Sequence, residues 1–284
     1  MSATPSPSRA VPTDRSGLRL ISSSTRRPPL REVWAYRELL RSLVVRNLKV
    51  KYQRSVLGFV WTLLNPILTI TVLTVVFTYF IKIRVDHYWA FVFSGYFVWN
   101  FILQMLSSAT YMLAEHAPLR RSVAFPSVVL VLATAASRMV EFLIEMVIAL
   151  LLLAIFHHHG LPAPLILLPL LILLQLLLAI GLTMPIATLS VFYSDVQHAM
   201  PIVLLMLFYL SPVFYPASLV PESLRTLYLL NPIAALLTLY HDVLYAGQWP
   251  PAWLFASVSL TAVLVCVLGY AIFDRYNALF AEIL

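Results

Sequence analysis

The stretch YRELLRSLVVRNLKVKYQRSVLGFVWTLLNP, Tyr36 to Pro66, constrains this chain more than any other. Its first half places Tyr36, Leu39, Leu40, Leu43, Val44 and Leu48 at three- and four-residue steps, one face of a helix. Arg37, Arg41, Arg46, Lys49, Lys51 and Arg54 take up much of the remainder. A helix of that profile lies in a membrane interface, apolar side down and basic side toward anionic headgroups. From Leu57 the charges stop and an apolar run continues to Phe80. At about 1.5 Å per residue that run can cross a hydrocarbon core of roughly 30 Å.

Composition agrees: 61% of the 284 residues are hydrophobic and 11% charged, against about 25% charged in a soluble domain. The chain therefore reads as an all-α polytopic membrane protein. Residues 1–30, rich in Ser, Pro and Arg, form a disordered tail without the apolar core of a secretory signal. Residues 31–56 form the interface helix, and 57–284 a six-span domain. The spans fall at about 57–80, 89–113, 127–156, 165–192, 201–215 and 252–273. Between the last two, two short helices at about Ser223–Leu230 and Ile233–Tyr245 are too broken for one span and too apolar for a soluble loop. They are read as re-entrant, with the break at Asn231–Pro232.

The net charge of +7 raises nucleic acid as a partner, but twelve of the 19 Lys and Arg lie between Arg9 and Arg54, beside the first span. That placement follows topology and membrane lipid, not a nucleic-acid groove. Sixteen of the 19 fall on one side of a six-span topology and three, Lys82, Arg84 and Arg225, on the other. Both termini are thus expected in the cytoplasm. The single cysteine, Cys266, supports no disulfide framework, and FHHHGLPAP reads as a short loop, not a metal site. No fixed-period repeat marks an inverted-repeat transporter.

Arg138, Glu141 and Glu145 share a face of the third span. Charges at that depth face protein or water, and Arg138 with Glu141 is expected to pair locally. Tyr79, Trp89, Phe93, Tyr96, Phe97 and Trp99 cluster at the outer end of spans one and two. Phe93, Tyr96 and Phe97 share one helix face and are the candidate lining of a substrate path, with Ser94 and Gly95 packing on the other side. Tyr215, Pro216, Asn231 and Pro232 are the candidate outer gate. No Gly-Lys-Ser/Thr phosphate loop exists, because Lys49, Lys51 and Lys82 follow Leu48, Val50 and Ile81. The Asp86–His87 and His241–Asp242 pairs keep open a different class, a membrane-embedded sugar or acyl transferase.

The ordered segments RNLKVKYQRSVLGFVWTLLNP, SGYFVWNF, the AFP after Arg120–Arg121, VFYSDVQHAMPIVL, FYLSPVFYPASLVPE and LLNPIAALL resemble the permease subunits of bacterial polysaccharide exporters. These are the type-2 ABC exporters of O-antigen, teichoic acid and capsule. The resemblance runs from about Glu32 to Leu284. It implies a non-catalytic channel subunit of the cytoplasmic (inner) membrane, paired with a second copy of itself. Two separate ATP-binding cassette subunits would bind ATP and magnesium. The cargo implied is a lipid-linked polysaccharide, foremost O-antigen; another amphiphile is the alternative cargo. The links 114–126 and 193–200 would dock the ATPase through Glu115, Arg120, Arg121, Phe125, Pro126, Tyr193, Asp195 and His198. Many members carry an Arg before the Asp of the second link; here Ser194 stands there, so any role of that Arg is absent.

Overall fold

The structure is a computed structural model that describes residues 34–52, 60–122, 125–156, 162–277 and 279–280, and all regular structure among them is helical. The interface helix α1 is Arg37–Tyr52. The first long helix, α2, is Val60–Val75 and continues as a π-helical turn, Val76–Phe80. Next come α3 (Tyr88–Ala109), the short α4 (Met112–Glu115) and α5 (Ala117–Ser122), and α6 (Val128–Phe156). A 3-10 turn, Ala163–Leu167, leads into α7 (Leu168–Phe192), and α8 is Asp195–Tyr209. The hairpin is α9 (Glu222–Leu229) and α10 (Pro232–Tyr240), the latter extended by a π-turn, His241–Tyr245. The last helix is α11 (Ala252–Tyr276).

Five helices are long and apolar enough to cross a membrane, and α9 with α10 forms one apolar pair bent by 102°. In α3, sixteen of 22 residues are buried, from Tyr88 through Phe97 and Ile102 to Ala109, so the other helices assemble around it. The apolar residues that sequence periodicity assigned to one face of α1 point inward, Leu43 most fully. The polar Asn47 of that helix approaches Ser137 of α6 at 3.4 Å. The junction between α1 and α2, residues 53–59, lies outside the described residues.

Contacts at the helix ends give the topology. Ser127 at the start of α6 donates to Asn277 after α11 at 2.7 Å. Ser190 near the end of α7 donates to the Ala109 carbonyl at the end of α3. Together with α1 on α6, these define one end of the bundle, the α1 end. At the opposite end, Tyr88 donates to the Phe214 carbonyl beyond α8. There too Tyr245 donates to the Asp86 carbonyl at 2.6 Å and Tyr228 to the Tyr215 hydroxyl at 3.2 Å. The hairpin therefore enters and leaves at the same end and is re-entrant, while α8 supplies the sixth crossing. A break was expected at Asn231–Pro232. Asn231 caps α10 by accepting from the Ile233 amide at 3.0 Å, with Pro232 in the first helical turn.

The fifth crossing differs from its expected bounds of 201–215. The helix starts six residues earlier, at Asp195, and stops at Tyr209. A carboxylate in the first turn suits a helix N-terminus, and Pro212 disfavours helical backbone at Ser211. At roughly 22 Å, α8 alone is shorter than the ~30 Å hydrocarbon core. The turns from Leu210 to Tyr215 complete the crossing.

Two backbones touch where α7 crosses α11. A Cβ placed on Gly269 would lie 2.1 Å from the Gly181 carbonyl oxygen, and one on Gly181 would lie 2.6 Å from the Cys266 backbone. Helices in lipid gain association energy from such close approach, because hydrocarbon gives apolar side chains no reason to leave it. Tyr240 of α10 donates to Gln175 of α7 at 2.7 Å, fastening the hairpin to the same helix pair.

Candidate functional site

The end of the bundle opposite α1 is built from rings. Phe77 in the π-turn of α2 stacks on Tyr88 with centroids 5.7 Å apart and meets Phe214 at 5.2 Å. Phe208 of α8 bridges Trp99 of α3 at 5.6 Å and Phe214 at 5.2 Å. Tyr215 meets Phe214 at 5.0 Å and donates to the Tyr209 carbonyl at 2.8 Å. Rings of this kind offer apolar faces and a hydrogen-bonding edge without fixed charge.

Beneath this layer sits His241. Its ring stacks on Phe91 with centroids 4.1 Å apart and planes at 12°. Its Nε2 lies 2.7 Å from the Pro212 carbonyl oxygen and its Nδ1 2.7 Å from the Ser94 hydroxyl. The Ser94 hydroxyl also lies 2.7 Å from the Phe91 carbonyl, so its one proton serves that oxygen and Nδ1 between them, while the N–H at Nε2 donates to Pro212. One imidazole joins the hairpin, α3 and the loop after α8. At 7% exposure with both nitrogens engaged, it has none to offer a substrate, so the pairing with Asp242 is not an acid/base site.

The sequence-derived path residues separate. Phe93 and Phe97 meet edge to face at 5.4 Å and are buried, as is Trp99. Trp89 lies edge-on to Phe93 at 6.0 Å. Tyr96 is half-buried against Phe97. Tyr79 alone is largely exposed, at 69%. Ser94 and Gly95 pack against His241, where a Cβ on Gly95 would meet the ring at 2.7 Å. Of the gate residues, Tyr215 and Asn231 are joined to neighbours. The Asn231 amide donates to the Leu210 carbonyl and the Ser211 hydroxyl, both at 3.3 Å, while Pro216 precedes a 3-10 turn, Ala217–Leu219. Phe77, Phe91, Phe208 and Phe214 were missed. Phe208 and Phe214 stood inside the quoted segment FYLSPVFYPASLVPE, but nothing in the sequence brings Phe77 to Phe214.

At the α1 end the intramembrane charges and the links meet. Arg138 donates to Glu141 at 3.1 Å and to Gln104 of α3 at 2.7 Å. Asn100 approaches Glu145 at 3.5 Å, and Glu141 and Glu145 are buried. The expected local pair thus belongs to a network between α3 and α6. Glu115, Tyr193, Asp195 and His198 are exposed near this end, whereas Phe125 is buried in the core and Pro126 half-buried. Arg120 and Arg121 follow the helical backbone of α5, and their side chains lie outside the described residues. The second link is mostly helix, the first turns of α8. Among the described residues no His, Cys, Asp and Glu group has the arrangement of a metal site; the adjacent histidines 157–159 lie outside them.

Residues 38–245 match the family model of the ABC-2 type transporters. The chain belongs to the ABC-2 type transporter family. It is 31% identical over 255 residues to the O-antigen export system permease protein RfbA of Myxococcus xanthus, covering 89% of this chain and 98% of that protein. It is 23% and 22% identical to two proteins of the same name from Klebsiella pneumoniae, each over 247 residues, 87% of this chain and 95% of theirs. An ABC-2 type membrane domain is a transport component, and the matched residues run from α1 through the re-entrant hairpin, with α11 following them.

Proposed function

We propose that this chain is the membrane subunit of an ATP-driven exporter that carries lipid-linked O-antigen polysaccharide across the bacterial cytoplasmic membrane. The observation that carries the reading is the near-full-length similarity to RfbA permeases. The ring-lined end supports it, because a sugar polymer slides past aromatic faces more readily than past fixed charges. In this reading both termini face the cytoplasm, in line with the basic excess beside the first span, and the ring-lined end faces outward. Energy comes from two separate ATP-binding subunits that bind ATP and magnesium, because no phosphate loop is present in this chain.

A second copy of the chain completes the channel. Asn65 in α2 and Thr78 in its π-turn are polar and exposed, and polar side chains at membrane depth call for protein or water rather than lipid. In α8 only Met200 and Leu204 are buried. These two helices supply the dimer face and the channel wall.

Deleting the gene should abolish the surface O-antigen ladder while lipid-linked polymer accumulates inside, read by immunoblot of intact and lysed cells. A complete surface ladder would overturn the export reading, and loss of a modification on polymer that still reaches the surface would favour a transferase. The exposed Asp195 should contact the ATPase. Asp195→Lys is expected to lower export at least tenfold with normal insertion, and unchanged export would remove Asp195 from the coupling contact.

A further inference from the structure

A cavity of about 320 Å³ lies between α1, the last turn of α3 with the residues after it, and α6, at the small end of the range for ligand sites. Arg46 and Asn47 line it from α1, Ser108 and Tyr111 from the end of α3, Ser137 and Arg138 from α6. Two helices fix its depth. The 22 residues of α3 span about 33 Å, close to the ~30 Å hydrocarbon core, so Ser108 sits at its boundary. The 29 residues of α6 run about 43 Å; with Phe156 at the far boundary, the near one falls close to Arg138. The cavity is therefore at the level of lipid headgroups.

Its arginines have donors to spare. Arg138 uses one nitrogen for Gln104 and Glu141. The other terminal nitrogen makes only a 3.4 Å approach to Ser108. Among the described residues nothing else receives its remaining N–H groups. Arg46 is exposed at the mouth and has no hydrogen-bond partner among the described residues. Two carboxylates share the lining: Glu141, paired with Arg138, and Glu115, exposed at the rim. The four charges balance. A multiply charged anion would leave the site strongly negative, whereas a zwitterion keeps it neutral.

We propose that this cavity binds the headgroup of phosphatidylethanolamine, with the phosphate on Arg46 and Arg138 and the ammonium toward Glu115. The lipid then acts as a wedge that sets the seat of α1 on α6. The inference goes beyond export and uses the orientation above only to name the cytoplasmic leaflet as the source. Charge-assisted contacts to phosphate provide the affinity, and Asn47 and Tyr111 add neutral donors.

The test is native mass spectrometry of the full-length protein taken from nanodiscs holding phosphatidylethanolamine, phosphatidylglycerol and phosphatidylcholine in equal parts. The wild type is expected to retain phosphatidylethanolamine preferentially, about one per protomer. Arg46→Ala should weaken retention about tenfold, one charge-assisted hydrogen bond. Arg41→Ala removes the same charge from the same exposed helix outside the cavity, and should change nothing. Glu115→Gln should shift preference toward phosphatidylglycerol. Equal losses in the two arginine variants would reduce the effect to general surface charge and overturn the site. So would a wild-type preference for phosphatidylglycerol or phosphatidylcholine, or displacement of the lipid by millimolar inorganic phosphate.

Discussion

Gly269→Ala is expected to remove the folded protein from the membrane. The added Cβ would fall 2.1 Å from the carbonyl oxygen of Gly181, well inside van der Waals contact. The obstacle is backbone, so no rotamer change relieves it, and α11 must shift away from α7 along much of their crossing. Overpacking between side chains costs roughly 1–3 kcal/mol, and a backbone-limited clash belongs at or above the top of that range. The loss spreads, because α10 is fastened to α7 through Tyr240 and Gln175. Detergent-stable protein, followed by fluorescence size-exclusion chromatography, should fall at least tenfold, and export with it. Leu264→Ala on the exposed side of the same helix is the control and should leave both near normal. A monodisperse Gly269→Ala protein at wild-type level would show that the two helices do not pack this closely.

That contact marks the limit of what the sequence discloses. The crossings were legible because each helix in lipid must satisfy its own backbone and carries its own uncharged run. The re-entrant hairpin was legible for the converse reason: it is too polar for one span, and the Asn-Pro pair names its break. The start of α8 was not, since Asp195, Gln197 and His198 look like a polar link, yet polar residues are what the first turns of a helix at a membrane surface present. Pairings between distant segments were invisible. Nothing local joins Gly181 to Gly269, or Ser94 to His241. Periodicity put Phe93, Tyr96 and Phe97 on one face of α3 without saying what that face meets. Phe97 turns out to be core, so replacing it with alanine would cost packing of order 3–5 kcal/mol before any polymer were affected. Among the candidate path rings Tyr79, exposed, and Trp89 and Tyr96, half-buried, have surface to offer.

Gly95→Ala sets two effects of opposite sign against each other. Alanine is favoured over glycine in a helix interior by about 1 kcal/mol, so an open position on α3 would be stabilised. Here the new methyl would lie 2.7 Å from Cε1 and 2.9 Å from Nε2 of His241. The ring is pinned by Phe91 on its face and by Ser94 and Pro212 at its nitrogens, so it can yield only by giving up those contacts. Two buried hydrogen bonds at roughly 1–3 kcal/mol each outweigh the helix gain. The hairpin should loosen from α3 while the rest of the bundle stays assembled. A cysteine at Thr238 in a Cys266→Ala background should then react several-fold faster with a membrane-impermeant thiol reagent, and export should fall. His241→Ala removes the obstacle along with the pin. In that background Gly95→Ala should be neutral or stabilising, so the two substitutions couple by about 2 kcal/mol or more in a double-mutant cycle. Additive effects would mean that the methyl is accommodated elsewhere and that His241 does not hold the hairpin to α3.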